Sequence, residues 1–148
     1  MNLKAFIDGS CFGNPGESGC SMVLKDDQNN VIEAAGWYLG HGTNNTAEYQ
    51  GLIHCLRRAK YYGAKCLSVY SDSQLLVSQI RGNYRIKKSH LRDLQQEVEN
   101  FLKENRVQLE ISYIPREKNL EADGLARKAI RLQSDIQEVS IQSPGHSG

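Results

Sequence analysis

The hydrophobic period of this chain changes once, near residue 43, and that switch limits the fold more than any other feature. Before it, the apolar runs Leu3 to Ile7, Cys20 to Leu24 and Val31 to Leu39 read as three strands. Glycines and Pro15 between Gly9 and Gly16 suit a tight first hairpin connection, and Asp26-Asp27-Gln28-Asn29-Asn30 makes a second turn. Three strands joined so closely form an antiparallel meander. After Thr43-Asn44-Asn45, the residues Ala47, Leu52, Ile53, Leu56 and Ala59 follow a helical stripe that ends near Gly63. Strand and helix then alternate. Cys66 to Tyr70 reads as strand, Leu75 to Ile80 as a short helix and Leu91 to Leu102 as an amphipathic one. Val107 to Ile114 returns to strand and Leu120 to Leu132 closes as helix. A meander followed by such units predicts an α/β domain, a mixed sheet with helices packed on it.

A chain of 148 residues makes one domain and buries a real core without disulfides or metal staples. The folded part is expected over residues 1–132, and the polar stretch 133–148, rich in Ser, Gln, Pro and Gly, as a mobile C-terminal tail. Within it, Val139 to Ile141 is the stretch able to pair with a sheet edge or a partner. Eighteen Lys and Arg against 17 Asp and Glu leave a net charge of +1, so any nucleic-acid surface must be local. No apolar stretch reaches the roughly 18 residues of a membrane span, and the N-terminus lacks the build of a signal peptide. A cytoplasmic protein without membrane contact is expected. Cys11, Cys20, Cys55 and Cys66 lack zinc-type spacing and read as reduced, packed thiols, with a Cys55 to Cys66 disulfide as the alternative. The glycine-rich turn carries no phosphate-loop or dinucleotide fingerprint, which argues against an organic cofactor.

Four acids stand at the ends of apolar segments or at helix starts. Asp8 follows the first run, Asp72 follows Cys66 to Ser71, Glu48 opens the long helix, and Asp123 lies in the first turns of the last. Singly each has a plain reading: an Asp before Gly in a turn, a Glu favoured by a helix N-terminus, a surface Asp. If the strands pair, however, all four meet at one edge of one sheet. Clustered carboxylates are hard oxygen ligands, suited to two Mg²⁺ ions about 4 Å apart that activate water and stabilise the leaving oxygen of a phosphodiester. No cluster of His and Cys suggests zinc.

The local runs Asp8-Gly9-Ser10, Thr46-Ala47-Glu48, Ser71-Asp72-Ser73 and Glu121-Ala122-Asp123, in that order, resemble the type 1 ribonuclease H family over residues 1–132. The resemblance implies a ribonuclease H-like fold, a five-stranded mixed sheet (antiparallel meander, then parallel strands) flanked by helices. It implies metal-dependent hydrolysis of the RNA strand of RNA/DNA hybrids, leaving 5′-phosphate and 3′-hydroxyl ends, by a monomer. Asp8, Glu48, Asp72 and Asp123 would hold two Mg²⁺ or Mn²⁺ ions. Ser10, Cys11, Asn14, Thr43, Asn44, Asn45 and Gln74 would bind substrate. The chemistry of Asn and Gln agrees, since neutral amides donate to and accept from the 2′-hydroxyls that mark RNA in a shallow minor groove. Thr43 and the following backbone amides could hold a phosphate of the DNA strand, although Asn44-Asn45 alone also reads as a capping turn.

Two departures locate the chain within that family. Between Asp72 and Asp123 there is too little sequence for the extra basic helix and loop of many bacterial members. Arg81, Arg85, Lys87, Lys88 and Arg92, interleaved with Tyr84, form a smaller basic stretch able to meet phosphates or to be a solvated connection. The loop Pro115-Arg116-Glu117-Lys118-Asn119 lacks the His that many members place there, and His41, His54, His90 and His146 fall elsewhere. Arg116 stays protonated and cannot be a general base, but it can bind a phosphate and steady developing charge, hence its place beside the four acids as a candidate catalytic residue. The pattern resembles the handle-less branch of archaea and some bacteria. A non-cleaving module for hybrid or double-stranded RNA is the competing function, disfavoured because four gathered negative charges facing phosphate serve no binder. A related integrase or junction resolvase is disfavoured by the amide set.

Overall fold

In the computed structural model, residues 1–82 and 89–139 are described. Strands β1 (Asn2–Phe12), β2 (Gly16–Lys25) and β3 (Val31–Gly42) form the meander. Helix α1 (Asn44–Tyr61), strand β4 (Cys66–Ser71), helices α2 (Gln74–Ile80) and α3 (Ser89–Asn105), strand β5 (Gln108–Tyr113) and helix α4 (Leu120–Leu132) follow, and β6 (Ile136–Val139) ends the described chain. The sheet order is β5-β4-β1-β2-β3-β6. β1 is antiparallel to β2 and parallel to β4, so the mixed sheet has its seam along β1.

Alternation along the strands assigns the two faces. Leu3, Ala5 and Ile7 of β1, Met22 and Leu24 of β2 and Leu67 and Val69 of β4 are buried in the core that includes Leu52, Ile53 and Leu56 of α1 and Val98 of α3. Truncating Leu52 or Leu56 to Ala there costs about 2–5 kcal/mol. α4 packs on the opposite face across β1, β2 and β3. Gly19 and Gly36 let it approach, since a Cβ at either would stand under 3 Å from a backbone oxygen of α4.

Two expectations need correction. The sheet has six strands, not five: β6, inside the polar segment after Gln133, pairs antiparallel with the edge of β3, matching Glu33 with Val139 and Gly36 with Ile136. Asp135 Oδ1 accepts the Tyr38 N–H at 2.9 Å and Gln137 donates to Glu33 at 3.1 Å, so polar residues rather than apolar ones dock this strand. β1 does not stop at Ile7 but continues to Phe12, which confines the hairpin turn to residues 13–15. All four cysteines are free, as the reading of reduced thiols expects, which excludes the alternative Cys55 to Cys66 disulfide.

A second buried feature lies under β3. Glu33, with no exposed surface, accepts a bidentate pair from Arg58 of α1 (2.8 and 3.1 Å), the Tyr62 hydroxyl at 2.8 Å and the Gln137 amide. Every lone pair of this carboxylate that packing hides from water meets a donor, as burial of a charge requires. No helix among the described residues is long and apolar enough to cross a membrane.

Candidate active site

β4 ends at Ser71, opposite Ile7, while β1 runs five residues further, so beyond Ile7 the β4 side of β1 has no strand partner. The N-terminal turns of α1 fill that gap. Gly9 permits the approach: a Cβ there would lie 2.3 Å from the backbone nitrogen of Glu48. The Gly9 N–H instead donates to Glu48 Oε1 at 2.9 Å. Thr43 fixes where α1 begins, its hydroxyl accepting the Thr46 N–H at 3.2 Å while Thr46 returns a bond to the Thr43 backbone. Ser73 caps α2 in the same way through the Leu76 N–H at 3.1 Å, which sets the backbone just after Asp72.

Asp8, Glu48 and Asp72 converge here, each offering an oxygen within 4.8 Å of the others. Asp8 and Glu48 are buried, and Glu48 Oε2 has no hydrogen-bond partner. Burial first, then the neighbouring Glu48 and Asp72 charges, pushes Asp8 up to about 10. Burial and Asp72 likewise push Glu48 up to about 8, against the Gly9 N–H that favours its anion. Asp72 is also raised by burial, opposed by Asp8, the Arg116 charge and an amide from Asn119. Three acids that cannot all ionise unaided, one with an orphaned oxygen, are matched to a hard cation. An all-oxygen set without His or Cys fits Mg²⁺ or Mn²⁺ and not zinc.

Asp123 lines the same cleft, of about 340 Å³, but stands outside the tight trio. Two arginines hold it: Arg127 Nε at 3.2 Å and Arg116 Nη2 at 3.9 Å. Arg116 is mostly exposed and faces the cleft from the 3-10 turn Arg116–Lys118. Asn119 behind it is buried, and its amide donates to the Ile7 carbonyl at 2.8 Å, tying the start of α4 to β1 just before Asp8. Ser21 adds a hydrogen bond from its hydroxyl to the Ala122 carbonyl.

Ser10, Cys11 and Asn44 line the cleft with the acids. The Cys11 thiol donates to the Gly42 carbonyl at 3.3 Å, and Asn14 Oδ1 accepts the Asn44 N–H at 3.1 Å. Thr43, Asn14, Asn45 and Gln74 are not cleft-lining: Thr43 caps α1, Asn45 is half-buried in its first turn, and Gln74 is exposed at the start of α2. The Asn44 N–H is therefore already engaged, and the capping reading of Thr43-Asn44-Asn45 holds beside any other. His41 and His90 are exposed away from the cleft, and His54 stacks on Trp37 at 4.3 Å. Of the basic stretch, Arg85, Lys87, Lys88 and Tyr84 lie outside the described residues, Arg92 is exposed, and Arg81 is spent on the Ile111 carbonyl at 2.9 Å. Sequence reasoning missed Tyr113, Asn119 and Arg127. The i,i+4 spacing from Asp123 was a usable signal for Arg127. Asn119 and Tyr113 carry no such mark, because their roles depend on the crossing of β5 and α4.

Residues 6–129 match the family model described as "Reverse transcriptase-like". The chain is 35% identical over 131 residues to Bifunctional protein Rv2228c of Mycobacterium tuberculosis, covering 88% of this chain and 36% of that one. It is 32% identical over 128 residues to Ribonuclease HI of Halobacterium salinarum, 86% of this chain and 64% of the other. The chain thus spans about a third and just under two thirds of those relatives. Among solved structures, LC11-RNase H1 in complex with an RNA/DNA hybrid superposes with a TM-score of 0.85 at 33% identity, over 88% of this chain and 98% of that one.

Proposed function

The chain belongs to the type 1 ribonuclease H family, and on that premise we propose that it hydrolyses the RNA strand of RNA/DNA hybrids, leaving 5′-phosphate and 3′-hydroxyl ends. The observation that carries this reading is the converging trio Asp8, Glu48 and Asp72, two of them buried, with the orphaned Glu48 Oε2, in a cleft open to solvent. Asp8, Glu48, Asp72 and Asp123 would hold two Mg²⁺ or Mn²⁺ ions, which supply Lewis-acid activation of water and phosphodiester. The chain's own residues position the strand. Arg116, kept near Asp123 yet mostly exposed, is placed to hold a non-bridging phosphate oxygen and steady the charge that develops there. Arg127 keeps Asp123 turned toward the cleft. Asn14, Asn44, Asn45 and Gln74 read 2′-hydroxyls and base edges, Ser10 and Cys11 meet the scissile strand, and Thr43 stands by the DNA phosphate. All four acids come from one chain, so a monomer suffices, and four free thiols suit a reducing cytoplasm.

The test is incubation of labelled hybrid, duplex DNA and duplex RNA with and without Mg²⁺ or Mn²⁺, followed by analysis of the ends. Metal-dependent cutting of hybrid alone, with 5′-phosphates, is expected. Cutting of duplex DNA, or no cutting at all, would falsify it.

A further inference from the structure

The face of the sheet that carries Asp8 continues away from the cleft as an aromatic surface. Strand register places Lys4 and Phe6 of β1 beside Val23 and Lys25 of β2 on one side and Ser68 and Tyr70 of β4 on the other. Among the described residues, α4 packs on β1, β2 and β3, and Phe6 and Tyr70 stay half-exposed. Their rings stack at 5.2 Å and 23°, and Lys25 Nζ stands 5.1 Å from the centre of the Phe6 ring. Phe6 and Val23 floor a recess of about 90 Å³ whose rim includes Lys25, Lys118 and Glu121. Lys25 and Lys118 flank the recess, and Lys4 lies on the same face with its Nζ donating to Asn29 at 2.9 Å, against Glu121 on the recess and Glu110 on β5.

We propose that this face binds unpaired RNA that runs off a hybrid, with a base stacked on Tyr70, whose ring Phe6 backs, and phosphates near Lys25 and Lys118. Exposed aromatic faces take only bases free of a partner strand, and flanking cations follow the backbone. Continuity favours the RNA strand. Phe6 precedes Asp8 by two residues on the same face of β1, roughly 7 Å along the strand, and Tyr70 precedes Asp72, just past the end of β4, by two. A strand crossing the acids therefore reaches the rings within a short extension. That continuity rests on the hydrolase reading; the platform itself does not.

Anisotropy titrations in EDTA, where cutting is halted, separate the two. The ligands are a blunt hybrid, the same hybrid with a short unpaired RNA extension, and the same with a DNA extension. The RNA extension should tighten binding by roughly 5- to 100-fold, the range for stacking one base. Phe6→Leu and Tyr70→Leu should each lose most of that gain and bind blunt hybrid as the parent does, with melting curves confirming the fold. Lys25→Gln should flatten the salt dependence of the gain. No gain from the RNA extension, a gain that survives both Leu variants, or an equal gain from DNA overturns the proposal. Protein that cuts blunt hybrid with Mg²⁺ yet gains nothing refutes the platform alone. Protein that gains from the extension yet cuts nothing supports the platform and refutes the hydrolase reading.

Discussion

Buried carboxylates sit near opposite ends of the same helix, Glu33 by the last turn of α1 and Glu48 with Asp8 by its first, and were solved in opposite ways. Glu33 meets Arg58, Tyr62 and Gln137, so its charge is matched at once from the end of α1 and from β6. Asp8, Glu48 and Asp72 meet chiefly one another, with one backbone N–H and an oxygen left without a partner. Asp8 and Glu48 are buried nearly as deeply as Glu33; what differs is the supply of donors. A satisfied buried acid is a structural tie, because removing either partner strands the other. An unsatisfied one raises the free energy of the fold and persists only where something outside the chain completes it.

The largest effect expected from this contrast is at the unsatisfied set. Asp8→Asn or Asp72→Asn should lower hybrid cleavage by at least roughly 1000-fold while the melting temperature holds or rises, since like-charge repulsion is relieved. Activity within tenfold of the parent would place these acids with Glu33 as mere structure. Arg58→Ala is the mirror experiment. It leaves Glu33 buried with half its donors and should cost on the order of 3 kcal/mol in denaturant unfolding, with turnover of the folded fraction unchanged. Unaltered stability would mean that the tie is ornamental.

Next in size is Arg116→Ala, expected to lower kcat by roughly 10- to 1000-fold with little change in melting, and Arg116→Lys should restore only part, a point charge replacing a planar fork. Loss of stability instead of turnover would move Arg116 to the structural side. A smaller effect follows from the raised Asp8 and Glu48 carboxyls. Protons that the fold holds and the unfolded chain releases stabilise the metal-free protein fully below the ordinary carboxyl values near 4, and this is lost as pH rises through about 8 and about 10. In EDTA, the melting-temperature advantage of Asp8→Asn over the parent should therefore widen from pH 4.5 to 9, and saturating Mg²⁺ should close it. A constant gap would show that the acids titrate alike folded and unfolded. Smallest is Asn45→Ala, which should raise KM for hybrid several-fold and leave kcat and metal requirement nearly as they are.

Much of this architecture was legible because hydrophobic period is a local signal. The meander, α1, the β4 to β5 alternation and α4 all announce themselves through runs and stripes, and the four acids through their position at the ends of those runs. Other features belong to tertiary structure. Asp8 and Ser10 look like turn residues in sequence, yet they lie inside a strand, because Gly9 gives α1 room beside it. β6 offers only Ile136 and Val139 amid polar neighbours, and what docks it, Asp135 on Tyr38 and Gln137 on Glu33, spans about a hundred residues of sequence. Glu33 itself reads as one more polar residue in a strand until Arg58 is seen above it. Asn119 is invisible for the same reason, its partner being the carbonyl of Ile7.

That last hydrogen bond joins residues 112 positions apart, and it has a consequence for a chain emerging from a ribosome. The first 82 residues already contain Asp8, Glu48 and Asp72, but β1 cannot be fastened to the start of α4 until Asn119 and Asp123 have left the exit tunnel. A nascent chain therefore carries three of the four acids before the segment that completes the cleft has been made, and β1 is fastened to α4 in one late step rather than as each strand emerges.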